Sequence, residues 1–586
     1  MLFRCGCFNK TKVFRTAGSS FLALSITAQL SVLVAADLPQ DVNRDRLSDG
    51  IQNQFKDEAL HQQLIEQESM NRPDVLPNVN EPADGLDIED DPAPYCFDIK
   101  ETIIEGDAGI VKPPAGYMDL NDSCVDINIL KQLLEKLNAS YKDKGQLTTR
   151  VYISEQDLSK GLLQLTIIPG RLERFEYADG AASDLRIITA FPMKSGDVIN
   201  LRDLEQGLEN FNALQSQKAE FKLYPGTKPG LTIVVIDVSS SKPWHIDLKV
   251  DNSGFDATGE YKAGSTLSFD NLFNINDRIS LRGLTSSPIS TRGRKYSDSA
   301  DVTFSAPYKN TYFSLRAGIQ HYKNTVKGVN QRYVLDGWSR YYALNAEHLL
   351  WRNQRAKLYF YSGLKSFRGK NYFEDFEIEA QRRKQTILTA GLRGKVYIGK
   401  STMDYSLGGK FGTTLLGAGA PMKDKVDSLR SNIDNKFDAL VGSLKLSMPL
   451  ADSGWKYLLE SAFQYSKNEL PGSDQFSIGG RHDVRGFQQD NLYGDSGIYM
   501  RNSFSHALLV NKKELGSYFF GLDAGAIKEP RTRDWTKKHL IGLATGVDFK
   551  LSESASLNIT YSRELIAPKE FANAEQHLYF DLLWQL

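Results

Sequence analysis

Apolar and polar residues alternate along most of the chain after residue 243. The first alternating segment, Trp244–Asp251, reads WHIDLKVD, and a second at 261–270 reads YKAGSTLSFD. Alternation with period two predicts β-strands that have one apolar and one charged face. Charged inner faces on so many strands would leave a soluble sandwich without a dry core. The pattern therefore predicts a membrane-spanning barrel whose outer face meets lipid and whose inner face lines a watery lumen.

The length of this region sets the expected number of strands. At ~10 residues for each spanning strand, plus turns and loops, residues 243–586 hold about sixteen strands. The last predicted strand is 577–586, and its apolar face carries Leu578, Phe580, Leu582, Trp584 and Leu586. The predicted fold is therefore mostly β, and a transmembrane β-barrel forms its C-terminal part.

A different pattern occurs twice before the barrel and consists of a strand, helical segments and two further strands. The first copy places these elements at 96–104, 126–141, 150–153 and 162–168. The second copy places them at 171–177, 201–214, 219–224 and 231–237. The repeat predicts two α+β modules in tandem, at 95–170 and 171–242.

Residues 1–36 have the order of a secretory signal. Basic residues come first, at Arg4, Lys10, Lys12 and Arg15. An uncharged stretch follows at 17–36 and ends in small residues, which is typical of a signal peptide. A membrane anchor is the alternative, but Gln29 and several Ser and Thr dilute the apolar run. We therefore expect residues 1–36 to direct secretion and to be removed.

Residues 37–70 predict a mostly polar helix, because apolar residues recur near helical spacing among charged and amide residues. The apolar residues are Ile51, Phe55, Leu60, Leu64 and Ile65. A helix over 44–70 would be ~40 Å long, and its polar surface suits a wet lumen, so we interpret it as a removable plug. Residues 71–94 are rich in Pro, Asp and Glu, which predicts an extended acidic linker.

Polar residues before this helix have part of the spacing of a calcium-binding loop. They are Asp41, Asn43, Asp45 and Asp49. However, Arg46 stands where the sharp turn needs Gly, and Gln52 stands where the bidentate acid belongs. The eight His residues show no metal-ligand spacing. No metal site is therefore predicted.

Charge and cysteine content narrow the partners and the compartment. A formal net charge of −1 over 586 residues argues against a nucleic-acid partner. Cys5 and Cys7 lie in the predicted signal peptide, which leaves Cys96 and Cys124. An isolated pair of cysteines in an oxidising periplasm usually forms a disulfide. We therefore predict a bond between Cys96 and Cys124.

Two short strings imitate catalytic motifs without the structure that such motifs need. Residues 394–401 read GKVYIGKS, which matches a phosphate-binding loop, but the following residues alternate and do not predict the helix that would bind phosphate. Residues 494–497 read GDSG, but no matching histidine segment precedes them. We interpret the first string as a hairpin between barrel strands, and we predict neither a cofactor nor an enzymatic activity.

The stretch 478–487 reads IGGRHDVRGF and suits neither a strand nor a helix, because its glycines allow backbone conformations that other residues avoid. The tetrapeptide Val484, Arg485, Gly486 and Phe487 resembles the signature of the Omp85 superfamily of outer-membrane proteins. In that family it marks a long loop folded into the barrel lumen, which implies an inward loop around 478–497.

A second string, 519–525, reads FFGLDAG and resembles the later motif of the same superfamily. In that motif a luminal Asp on a barrel strand receives the loop arginine, which implies that Asp523, with Gly525 nearby, accepts Arg485. The alternative is that Arg485 is one of many luminal charges. Asp483 departs from the small or hydroxylated residue usual at its position and is a possible competitor for Arg485. In a wet lumen we expect truncation of one partner of the pair to cost about 1–3 kcal/mol.

The two modules resemble tandem POTRA domains, the periplasmic polypeptide-binding units of the same superfamily. Their sheet edges suit an extended chain that binds by strand addition, although a role as structural spacers is the alternative. The order of plug, linker, modules and barrel resembles an outer-membrane transporter of two-partner secretion. That resemblance implies export of an unfolded partner exoprotein without ATP, a lipid environment, and insertion by the barrel-assembly machinery. The alternatives are a barrel-assembly insertase and a passive porin.

Overall fold

The computed structural model describes residues 96–106, 123–286, 295–327, 331–418, 435–450, 453–488, 490–510, 513–528, 538–569, 571 and 576–586. The predicted signal peptide, plug helix and acidic linker lie outside the described residues, as do the acidic residues with calcium-like spacing.

The first module packs one helix against small sheets. Its elements are β1 (Phe97–Ile99), β2 (Glu101–Gly106), β3 (Ser123–Val125), α1 (Ile127–Asp143), β4 (Arg150–Ile153) and β5 (Leu162–Ile168). Strand β5 lies between β2, which is parallel to it, and β4, which is antiparallel. Helix α1 begins after Asp126, whose carboxylate accepts the N–H of Ile129 at 2.8 Å. The buried residues of α1 recur at helical spacing, at Leu130, Leu133, Leu137 and Tyr141.

The second module repeats this arrangement with a larger core. Its elements are β6 (Arg171–Tyr177), α2 (Leu185–Ala190), α3 (Leu201–Asn212), β7 (Gln217–Pro225) and β8 (Leu231–Ser240). Strand β8 is parallel to β6 and antiparallel to β7. Gly207 on α3 lies against the ring of Phe191, since an added Cβ would come within 2.0 Å of that ring. Glycine therefore lets the helix approach the core closely.

In the described part of the chain, the remaining residues form a closed antiparallel barrel of sixteen strands, which confirms the predicted number and fold class. The strands are β9 (Trp244–Asp251), β10 (Lys262–Asp270), β11 (Arg278–Ser286), β12 (Tyr296–Tyr308), β13 (Thr311–Lys327), β14 (Arg332–Arg352), β15 (Ala356–Phe373), β17 (Arg383–Ile398), β18 (Ser401–Thr413), β19 (Asp438–Leu450), β20 (Trp455–Tyr465), β23 (Ser496–Val510), β24 (Lys513–Lys528), β25 (His539–Lys550), β26 (Ala555–Ile566) and β27 (Gln576–Gln585). The two-residue strand β16 (Phe376–Glu377) pairs antiparallel with the end of β15, and pairing of β27 with β9 closes the barrel.

The alternation in sequence becomes two faces of the barrel wall. On β9 the side chains of Trp244, Leu248 and Val250 are exposed on the outside, whereas Asp251 is buried. On β27 the side chains of Leu578 and the apolar residues that follow at every second position also face outward. The apolar face therefore meets lipid, as the pattern predicts.

The segment that imitates a phosphate-binding loop is a hairpin. Strands β17 and β18 are antiparallel, and Ile398 opposite Ser401 is the pair next to the turn. Gly399 takes a positive φ of 59° in that turn. Strand β18 follows the turn directly, so no helix N-terminus stands where it could bind phosphate. In addition, no described helix is long and apolar enough to cross a membrane.

Between β20 and β23 the chain leaves the wall and forms the inward loop, residues 466–495. Within it, β21 (Phe476–Ile478) pairs with β22 (Leu492–Gly494) as a short hairpin. The predicted range of this loop was 478–497, so the loop begins earlier and ends slightly sooner, since Ser496 and Gly497 already belong to β23. A backbone hydrogen bond from Leu470 to the carboxylate of Asp495, at 2.7 Å, ties the two ends together.

Candidate functional site: the inward loop and its receiving strands

Strand β24 presents a groove of small and acidic residues to the lumen. Its side chains Phe520 and Leu522 are exposed on the outer face. Because strand residues alternate between faces, Gly521, Asp523 and Gly525 must point inward. This inner row receives the inward loop.

Arg485 binds Asp523 through three hydrogen bonds. Its Nε donates to Oδ2 at 2.6 Å, its Nη2 donates to Oδ1 at 2.7 Å, and its backbone N–H donates to Oδ2 at 3.1 Å. The Arg485 side chain is 1% exposed and that of Asp523 is 0% exposed. A bidentate pair that is this well covered is a strong and directional contact. The structure thus brings together the two residues that the motifs single out.

Neighbouring strand atoms add further hydrogen bonds to the pair, and of the guanidinium nitrogens Nη1 has no partner among the described residues. The backbone N–H of Asn502 on β23 donates a hydrogen bond to Asp523 Oδ1 at 3.1 Å. The carbonyl of Asn502 accepts a hydrogen bond from Arg485 Nη2 at 2.9 Å. The hydroxyl of Ser503 accepts the same Nη2 at 3.2 Å. The guanidinium also lies 5.4 Å from the ring centroid of Phe519. The pair is therefore held by two adjacent strands of the wall.

Glycines in the wall make room for the loop. A Cβ on Gly521 would lie 2.0 Å from Arg485 Nη2, and a Cβ on Gly542 of β25 would lie 1.7 Å from the Arg485 carbonyl. A Cβ on Gly525 would come within 2.9 Å of the Val484 side chain. Since real Cβ atoms do not approach so closely, any larger residue at these positions would displace the loop.

The loop itself needs one glycine for its backbone. Gly486 has a φ of 107°, a conformation that residues with a side chain rarely adopt, and a Cβ there would meet the backbone of Arg563 on β26 at 2.6 Å. Arg485 and Phe487 can therefore lie on either side of a tight turn pressed against the wall.

An apolar cluster covers the ion pair. Its buried members are Ile478, Val484, Phe487, Leu492, Ile527 and Leu540. The rings of Phe487 and Phe571 meet edge to face with centroids 6.2 Å apart. The expectation of a wet environment for the pair is wrong, because both charged side chains are almost fully buried.

Asp483 has a structural role in the loop. Its Oδ1 accepts the backbone N–H of Gly479 at 2.7 Å and that of Val484 at 2.6 Å. These bonds close the turn that precedes Arg485. Asp483 thus shapes the backbone that presents the guanidinium.

The inward loop also reaches the strands that close the barrel. Gln488 donates to the carbonyls of Asn252 at 3.1 Å and Gly254 at 2.7 Å, just after β9. Arg481 lies 3.4 Å from Asp581 on the last strand. The loop therefore contacts both sides of the β9–β27 closure.

Part of this site was visible in the sequence and part was not. Gly521, Asp523 and Gly525 stand at every second position of one short string, which was a signal that all three face the same way. Gly542 and Asn502 carry no such signal, because only the pairing of β24 with its two neighbours brings them to Asp523.

Cys96 and Cys124 are joined by a disulfide, with their Cα atoms 5.4 Å apart. Cys124 is opposite Asp98 in the pairing of β1 with β3, so the bond lies beside this two-stranded sheet. It ties the first strand of the module to the segment that leads into α1. Among the described residues there is no group of His, Cys, Asp and Glu that could hold a metal ion.

Comparisons with known proteins agree with this architecture. Residues 230–549 match the family model of the haemolysin secretion/activation protein ShlB/FhaC/HecB. Residues 114–170 match a POTRA domain of the ShlB type, and residues 171–225 match a POTRA domain.

The outer membrane transporter CdiB of Dickeya dadantii (strain 3937) is 30% identical over 461 residues, which cover 77% of this chain and 80% of that protein. The outer membrane transporter CdiB-2 of Burkholderia pseudomallei (strain 1026b) is 31% identical over 428 residues, 72% of each chain. The solved structure of CdiB from Escherichia coli has the same fold, with a TM-score of 0.77 at 24% identity over 92% of this chain and 98% of that one. Sequence and architecture together show that the chain belongs to the haemolysin secretion/activation protein family ShlB/FhaC/HecB.

Proposed function

We propose that the chain exports one partner exoprotein through its barrel and that the Arg485–Asp523 pair fixes the inward loop in the transport-competent position. Membership of the family makes the chain an outer-membrane transporter of two-partner secretion, with its POTRA modules in the periplasm. The observation that carries the role of the loop is the burial of a bidentate ion pair inside the barrel.

This burial distinguishes the pair from an ordinary luminal charge. A luminal cation in water contributes little when it pairs with an acid, since solvent screens the attraction. Separation of this pair is costly, because it would leave the buried Asp523 without the arginine that compensates its charge. The loop therefore has one strongly preferred position. The exoprotein must move through the barrel while the loop stays in that position.

We further propose that the exoprotein first binds the open edge of β7 in the second module. No described strand pairs with this outer edge, whereas the opposite edge strand β6 is covered by bridges from Val198 and Ala182. An extended unfolded chain can add there as a further strand.

Folding of the exoprotein at the cell surface then supplies the free-energy drop for export, so neither ATP nor a catalytic residue is required. Outer-membrane lipid surrounds the wall, and the barrel-assembly machinery inserts it.

Secretion measurements with a matched control test the role of the pair. Arg485→Ala should reduce the amount of exoprotein in the medium while the amount of folded barrel in the membrane stays constant. Lys445→Ala removes a luminal cation that is half exposed and 3.4 Å from Glu460, so it should secrete normally. Equal secretion by both variants would contradict the proposed role of the inward loop.

Site-specific photo-crosslinking tests the capture step. A photoreactive residue at Lys222, which is exposed on β7, should trap the exoprotein in transit. The same residue at Arg174, on the covered edge strand β6, is the control. Adducts at Arg174 but not at Lys222 would place the exoprotein elsewhere on the module.

A separate measurement tests the alternative role in barrel assembly. Unchanged levels of other outer-membrane barrels in cells that lack the chain would argue against that role.

A further inference from the structure

The second module is locked to the periplasmic rim of the barrel by buried charges. The carboxylate of Glu209 on α3 forms ion pairs with Arg352 Nη2 at 2.9 Å and with Lys357 Nζ at 2.5 Å. The carboxylate of Glu205 lies 3.2 Å from the same Arg352 nitrogen. Arg352 ends β14, and Lys357 lies at the start of β15. All four side chains are at most 10% exposed. Breaking these ion pairs would leave buried charges uncompensated. Helix α3 is therefore held in a fixed position beneath the barrel wall.

Helix α2 is held against two neighbouring turns of the same rim. The carbonyl of Thr189 accepts the N–H of Lys309 at 2.5 Å, in the turn between β12 and β13. Asn276, in the turn between β10 and β11, donates to the carbonyl of Arg186 at 2.9 Å. Asn274 of that turn donates to Asp184 at 3.3 Å. These contacts place α2 directly against two turns of the barrel rim.

The helix and the turn expose large apolar side chains side by side. Leu185 and Ile188 on α2 are each 54% exposed, and Leu272 and Phe273 in the turn are 55% and 59% exposed. Leu185 begins α2 and lies between Asp184 and Arg186, which both bond to the turn. We call these four residues the rim patch.

The rim patch continues the lipid-facing surface of the barrel. The ring of Phe273 meets that of Phe304 with centroids 6.0 Å apart. Phe304 shares a face of β12 with Val302, which is exposed on the outside of the wall. Nearby, Lys309 lies 5.7 Å from the ring centroid of the exposed Tyr308. Tyrosine beside lysine is typical of the membrane–water interface.

We propose that the rim patch enters the inner leaflet, so that the second module binds membrane phospholipid directly. The inference goes beyond export itself and rests on the position of the barrel in the membrane. Lipid is favoured over a protein partner because the patch is continuous with a surface that already faces lipid. A segment of the exoprotein is the competing occupant, and the test distinguishes the two.

Spin-label accessibility in the full chain tests the proposal. The chain is reconstituted into vesicles of phosphatidylethanolamine and phosphatidylglycerol, without exoprotein. Cys5 and Cys7 are replaced by Ser, and Cys96 is bonded to Cys124, so the label reacts only at an introduced cysteine. A label at Ile188→Cys should collide more often with dissolved oxygen than with a water-soluble nickel chelate, as lipid-exposed labels do.

Two further positions make the result decisive. Tyr224→Cys, exposed on β7 of the same module, is the control and should favour the nickel chelate. Leu272→Cys lies in a barrel turn and tests the patch independently of the folding of the module, so it should behave like Ile188→Cys. Equal access of the chelate at Ile188 and Tyr224 would overturn the proposal. So would protection of Ile188 that develops only when exoprotein is added, since the patch would then bind protein.

Discussion

Replacing Arg485 by alanine should release the inward loop without unfolding the barrel. The substitution removes both guanidinium bonds and leaves buried Asp523 with the backbone N–H groups of residue 485 and Asn502 as donors. Removing one partner of a buried pair costs about 3–5 kcal/mol. This exceeds the 1–3 kcal/mol expected for a wet lumen, since both charged side chains are almost fully buried.

The magnitude predicts a large change in where the loop lies. Each 1.4 kcal/mol is tenfold in an equilibrium constant, so a loss of 3 kcal/mol shifts the docking equilibrium toward the undocked loop by roughly 150-fold. The barrel remains closed, because its stability comes from a ring of backbone hydrogen bonds that the substitution does not touch. We therefore expect normal insertion, greater protease sensitivity of the loop, and poor secretion.

Two companion variants separate charge from geometry. Arg485→Met combined with Asp523→Leu removes both charges and should dock the loop better than Arg485→Ala, since no buried charge is left alone. Exchange of the two charges should restore little, because an arginine at 523 would face the N–H donors of Arg485 and Asn502. Wild-type secretion by Arg485→Ala, with equal barrel in the membrane and equal protection of the loop, would refute this reasoning.

Three further predictions concern other parts of the chain. Gly542→Ala should abolish secretion but not insertion, since its Cβ would lie 1.7 Å from the Arg485 carbonyl; secreted exoprotein measures this. Cys124→Ser should lower the unfolding free energy of the first module by roughly 3 kcal/mol, measured by urea denaturation, because Cys96 no longer closes a loop. Deletion of residues 37–70 should raise the ion conductance of the barrel in planar bilayers if these residues plug it, whereas unchanged conductance would place them elsewhere.

Local patterns in the sequence were enough to predict the architecture. Alternation along residues 243–586 predicts strands and their lipid-facing sides, because strand geometry turns a period of two into two faces. The repeat at 95–242 predicts two modules for a similar reason. The glycine-rich stretch around Arg485 marks a special backbone, since only glycine tolerates such conformations.

The environment of each charge was decided only by the tertiary structure. Nothing near Asp523 in the chain shows that Phe487 and its neighbours cover the ion pair, or that Gly542 leaves space for the loop backbone. Likewise, Glu209 and Arg352 are distant in sequence and meet only because the second module docks under the barrel. A residue pattern determines which face a side chain takes, because that depends on its own strand or helix. Burial depends on what the closed barrel brings to that face, and this is a property of the whole fold.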